Sequence, residues 1–158
     1  MKATFKKGIG FGLTSGIITT IGTIIGLNSG THSKFVVIIG VVIIAISDAL
    51  SDAFGMHVSE ETSKKQTEHA IWEATCSTFL AKSIFAASFI IPLVFFPLST
   101  AIIISLIWGL ILIIAVSLFI SKKQKISPSK VIVKHILITA LVIILTHYIG
   151  KYLSSLSF

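Results

Sequence analysis

The acidic residues of this chain are confined to one stretch. Asp48, Asp52, Glu60, Glu61, Glu68 and Glu73 are its only carboxylates, and no acidic residue lies before or after that stretch in 158 residues. Asp48 and Asp52 stand four apart, so on a helix they share a face. At roughly 100° per residue, Ser51, Gly55 and Ser59 fall on the same side, Met56 lies at its edge and His57 points nearly opposite. Two carboxylates with two hydroxyls form a hard oxygen set, suited to Mn, Fe(II), Mg or Ca, and a Met56 thioether would tilt the preference toward softer transition metals. The plainer reading is a hydrated aspartate pair in the headgroup zone. That reading fits Asp52 better than Asp48, because Asp52 lies only a turn or so from the expected cytoplasmic end of its helix.

The neighbouring charges divide into two groups. Glu60/Lys64 and Glu61/Lys65 are spaced i, i+4 and read as a solvated helix face. Glu68, His69 and Glu73 have no such internal explanation. Glu68 and Glu73 are candidates for capturing metal at an entrance, although their spacing is no specific metal motif. Lys82 sits near the start of an apolar run at a depth comparable to Asp52. It either pairs with Asp52 or Asp48, lowering the negative charge of the site, or snorkels to the surface. His135 and His147 fall on the last apolar run and carry no assigned role. Trp72 and Tyr152 read as interface anchors. The chain has no HExxH, phosphate loop or nucleophile–base constellation and is read as not an enzyme.

The elements that must hold these residues are membrane spans. Hydrophobic residues make up 54% of the chain and charged residues 12%, with a mean hydropathy of +0.99. A soluble domain of this length could not bury that much apolar side chain. Each span needs roughly 20 apolar residues, and five runs meet the requirement, over 9–27, 35–58, 76–96, 98–120 and 131–153. The expected fold is therefore an all-α membrane protein, a single transmembrane domain over 1–158. Lys2, Lys6 and Lys7 precede the first run as in a signal peptide, but no small-residue cleavage site follows, and the run reads as a span. Ser127 and Pro128 look like an N-cap and first helical residue of the fifth helix.

All 13 basic residues are Lys. With the N-terminus cytoplasmic, Lys2, Lys6, Lys7, Lys64, Lys65, Lys122, Lys123, Lys125 and Lys130 lie inside, against Lys34 and Lys151 outside. The formal charge of +7 thus reads as a topology signal. Without Arg forks it is no nucleic-acid signature. Cys76 is the only cysteine, so no intrachain disulfide forms. In the first run Gly8, Gly12, Ser15, Thr19, Gly22 and Gly26 share a face. Small residues at this spacing let helices approach closely, either within one subunit or across a homodimer in which Ser15 and Thr19 line a path.

Two segments carry a family resemblance. Gly12-Leu13-Thr14-Ser15-Gly16-Ile17-Ile18-Thr19-Thr20 resembles the glycine-flanked first-helix motif of the vacuolar iron transporter family. Ser47-Asp48-Ala49-Leu50-Ser51-Asp52-Ala53-Phe54-Gly55-Met56-His57-Val58-Ser59 resembles its second-helix motif. The resemblance implies a homodimer that exports Fe(II) or Mn(II) as substrate, against protons, with no resident cofactor. It also implies that the first helices of two subunits line the path, where an Asp and a second-helix Met touch the metal. The chain departs from the pattern at three places. Ser15 stands where the family has the first-helix Asp, Asp52 where it has the Met, and Met56 where it usually has Glu. The segment after the second span is too short for the three-helix metal-binding domain of longer members. The expected site set is Asp48 and Asp52, with Ser15, Thr19 and Met56 secondary and Glu68 and Glu73 at the entrance. The expected function is divalent-metal export across a membrane, by default the plasma membrane of a prokaryote. The competing expectation is a non-transporting scaffold or regulatory subunit, in which Asp52 and Lys82 form a structural pair.

Overall fold

A computed structural model describes residues 3–63 and 66–156. Its elements are α1 (Ala3–Thr31), α2 (Lys34–Ile43), a π-helical turn over Ile44–Asp48, α3 (Ala49–Glu61), α4 (Glu68–Ser88), α5 (Ile90–Phe95), α6 (Leu98–Gln124) and α7 (Pro128–Ser154). No strand occurs among the described residues. α2, the π turn and α3 run on as one rod, and α5 continues α4. The result is five helices long and apolar enough to cross a membrane: Thr4–Thr31, Lys34–Glu61, Glu68–Phe95, Leu98–Lys122 and Pro128–Ser154. The runs expected from sequence fall on these five to within a residue, and most of the helices extend beyond them into polar flanks.

The prolines set the breaks. Pro92 has no N–H and its ring crowds the carbonyl four residues back, which belongs to Ser88. α4 ends at Ser88 and resumes as α5 after Phe89. Phe96, preceding Pro97, is driven into extended backbone (φ −120°, ψ 157°), and α6 starts immediately after Pro97. Pro128 opens α7 with Ser127 at the N-cap position, as expected. The Ser127 hydroxyl, however, meets the Ser129 hydroxyl at 2.8 Å instead of capping the backbone.

The π turn has its own cause. From Val37 to Ala53 the buried face of the second span is Val37, Val41, Ala45, Ala49 and Ala53, a strict four-residue repeat. Four residues overshoot one turn of an α-helix by about 40°, so such a face would spiral off its neighbours. The wider π turn takes up part of that drift, with Ala49 N–H reaching back to the carbonyl of Ile44.

α1 is the central helix, packing most extensively against α4 on one side and α7 on the other. Its glycines make both contacts close. A Cβ at Gly8 or Gly12 would collide with the α4 backbone at Ala74 or Thr78, and one at Gly22 would meet Val142 of α7. Gly26 faces Thr146, and Gly150 of α7 abuts the Gly26 carbonyl. The small-residue face of α1 is therefore used within the subunit at both ends. The apolar core joins Ile17, Ile21, Ile24, Val37, Val41, Phe89, Leu93 and Ile113. Large apolar side chains such as Phe95, Leu137 and Ile144 point outward, the pattern a bilayer requires and water opposes.

Candidate functional site

Four polar side chains meet where α1, the second span and α4 come together. The Lys82 ammonium is completely buried and lies 2.5 Å from Oδ2 of both Asp48 and Asp52. It donates to the Ser15 hydroxyl at 3.0 Å, and that hydroxyl donates to Asp52 Oδ2 at 2.6 Å. Asp48 is held differently. Its Oδ2 lies against the ammonium outside the angular range of a hydrogen bond and has no hydrogen-bond donor. Asp48 is thus paired by charge alone.

Depth gives this cluster its meaning. Ser15 is residue 12 of its 28-residue span, and Asp48 and Lys82 are each residue 15 of theirs. At 1.5 Å per residue all three lie near the middle of a hydrocarbon layer roughly 30 Å thick. An unpaired carboxylate there costs about 2.5–3.5 kcal/mol on lenient scales. One ammonium against two carboxylates leaves a formal charge of −1. The arrangement requires room for the lysine stem, and Gly16 supplies it: a Cβ there would lie 3.2 Å from Lys82 Cγ. The two open readings of Lys82 are thereby resolved in favour of pairing, with both aspartates at once.

The other expected site residues are distributed around this centre. Thr19 bonds back to the Ser15 carbonyl at 2.9 Å and lines a cleft of about 610 Å³ with Asp48, Gly22, Gly26 and Thr146. Ser15 and Thr19 also line a second cleft of about 390 Å³ with Phe11, Thr14, Lys134 and His135. The two clefts follow the α1–α7 seam in opposite directions from the cluster. Met56 is buried on α3 one turn beyond Asp52. Glu68 is exposed in the first turn of α4, and Glu73 accepts from the Thr4 hydroxyl at 3.2 Å. Neither joins the central cluster. Among the described residues no three His, Cys, Asp or Glu side chains are placed to hold a metal ion together.

Two arrangements escaped the sequence reading. Glu60 is only 2% exposed and pairs with Lys7 of α1; Lys64 and Lys65, the i, i+4 partners expected for Glu60 and Glu61, lie outside the described residues. No local spacing signals a partner so distant in the chain. Trp72 packs edge-on against His57 at 4.7 Å, and His57 Nδ1 meets the Thr75 hydroxyl at 3.0 Å. Thr75 gives its own proton to the Ile71 carbonyl, so His57 is the donor. The same logic applies to His135. Ser117 donates to the Ile113 carbonyl at 2.6 Å, and the ring therefore donates from Nδ1 to Ser117 at 2.8 Å.

Comparison with protein families, with curated proteins and with solved structures found no match to this chain.

Proposed function

We propose that this protein exports a divalent transition metal, Fe(II) or Mn(II), from the cytoplasm in exchange for protons, using Asp48 and Asp52 as the membrane-depth cation site. One observation carries the reading: two carboxylates converge at mid-depth in a bundle, beside clefts that run along the α1–α7 seam. Ionisable groups at that depth are expensive, and their usual employment is an ion or proton path. The resemblance of the first two spans to the vacuolar iron transporter family supports the same chemistry. Ser15 orients Asp52, Thr19 lines both clefts, and Met56 is a soft ligand within a turn of Asp52. Glu68 and Glu73 flank the end at which the metal enters.

The orientation in this proposal rests on lysines. Lys6, Lys7, Lys122, Lys125 and Lys130 cluster at the end where α1 begins, and Lys34 and Lys151 lie at the other. The positive-inside rule then makes the α1 start cytoplasmic, in the plasma membrane of a prokaryote. A homodimer belongs to the proposal because the Asp48 side chain keeps 37% exposure and Asp52 22%. A second copy seated at the Ser15–Thr19 stretch of the first span would screen both carboxylates from lipid.

Reconstituted vesicles loaded with a metal-sensitive dye test the reading. Flux of Mn(II) or Fe(II) that accompanies a proton gradient is expected, and it should vanish in D48A/D52A. Unchanged flux in that variant would sink the site. The buried Lys82–Asp52 contact favours a second reading, a non-transporting scaffold held by that pair. On that reading the wild type carries no divalent ion, and a K82D/D52K swap restores stability with no flux.

A further inference from the structure

We infer that Lys82 is a tethered cation that occupies the metal seat at rest, so that ammonium and divalent ion hold Asp48 and Asp52 in mutually exclusive turns. The inference deepens the cation-site reading above and rests on it. The ammonium has the surroundings of a bound ion. Three oxygens face it, Ser15 Oγ at 3.0 Å and the two aspartate Oδ2 atoms at 2.5 Å. Its relative exposure is zero, so no water competes for it.

Charge decides between sharing and exclusion. Two carboxylates and the ammonium sum to −1, which leaves the seat attractive to a further cation. A divalent ion joining the resident ammonium would bring the sum to +1 at mid-depth, with two positive charges in contact. At short range and the effective dielectric of a protein such repulsion is strong. With the ammonium withdrawn, the carboxylates and a divalent ion sum to zero. Asp48 is the natural point of entry. Its Oδ2 is already free of hydrogen bonds and its side chain opens on the larger cleft, whereas Asp52 is held by both Ser15 and Lys82.

The lysine is therefore a specificity device as well as a counter-charge. It sets a threshold that a weakly attracted ion does not cross, and it prevents the seat from standing empty and doubly negative in the membrane.

Equilibrium dialysis of purified protein against MnCl2, with bound Mn(II) read by electron paramagnetic resonance, tests this. K82M and K82Q should each bind Mn(II) at least about tenfold more tightly than wild type, and K82R should stay close to wild type. The gain should disappear when D48N and D52N are added to K82M. Folded neutral variants that bind no tighter than wild type overturn the inference, and so does a gain that survives D48N/D52N. Should both neutral variants fail to fold while K82R folds, Lys82 is a structural strut and the inference is again overturned. Failure of the export reading looks different: K82M gains its ion while wild-type vesicles show no flux.

Discussion

The Ser15 hydroxyl of α1 donates to Asp52 Oδ2 of α3 at 2.6 Å, joining two helices at the level of the buried ammonium. Ser15 supplies no charge itself and directs the charge of Asp52. S15A should lower stability by about 1.5 kcal/mol, the low end for a hydrogen bond to a charged group, because Asp52 keeps Lys82. Metal flux should fall several-fold without being abolished. Thermal unfolding in detergent and vesicle flux read the two effects separately, and full wild-type flux in S15A would remove Ser15 from the site.

Close helix approach predicts a sharp contrast among glycines. Gly12 of α1 lies against the Thr78 carbonyl of α4, so G12L forces the two helices apart and should cost about 3 kcal/mol or prevent folding. Nothing lies within 4 Å of a Cβ placed on Gly55. G55A should leave packing untouched and raise stability by up to about 1 kcal/mol through helix propensity. Denaturation midpoints of the pair measure the contrast, and equal effects would contradict the packing described for α1.

The Lys7–Glu60 pair predicts an asymmetry. The Lys7 side chain is 57% exposed and that of Glu60 is 3% exposed. K7M takes the Lys7 charge away from a buried carboxylate, whereas E60Q removes the charge and returns Lys7 to solvent. K7M should therefore destabilise by about 1–3 kcal/mol and E60Q by less. K7M/E60Q should recover most of the K7M loss. A cycle of these variants measured by thermal unfolding settles the order.

Much of the architecture is legible in the residues themselves. Apolar run length sets the five spans, Pro92, Pro97 and Pro128 mark the breaks and starts, and the isolated Lys82 in an apolar stretch reads either as a partner of Asp48 or Asp52 or as a snorkelling lysine. Three features were not legible, each for a physical reason. Glu60 finds Lys7 only because α1 and α3 come together in the bundle, and an i, i+4 lysine on its own helix offered a simpler local account. The pairing of Lys82 with both aspartates depends on Gly16 opening space beside its stem, a relation between helices. The π turn is encoded in the four-residue repeat of Val37, Val41, Ala45, Ala49 and Ala53, but an ideal α-helix assumed along the whole span conceals it.

That π turn makes the second span a helix with one residue to spare. Deletion of a single residue within 44–48, such as Ser47, should let the rod close into uninterrupted α-helix with little loss of helical content by circular dichroism. The span would still insert, and because the π turn is what absorbs the extra residue, the helix faces on either side of it should keep nearly their present alignment. Metal flux should then survive that deletion, whereas deletion of Leu50, in regular helix between the two aspartates, would turn Asp48 by roughly 100° relative to Asp52 and should abolish it. The π turn is thus slack in the span, a point at which its length can change by one residue without disturbing the carboxylates.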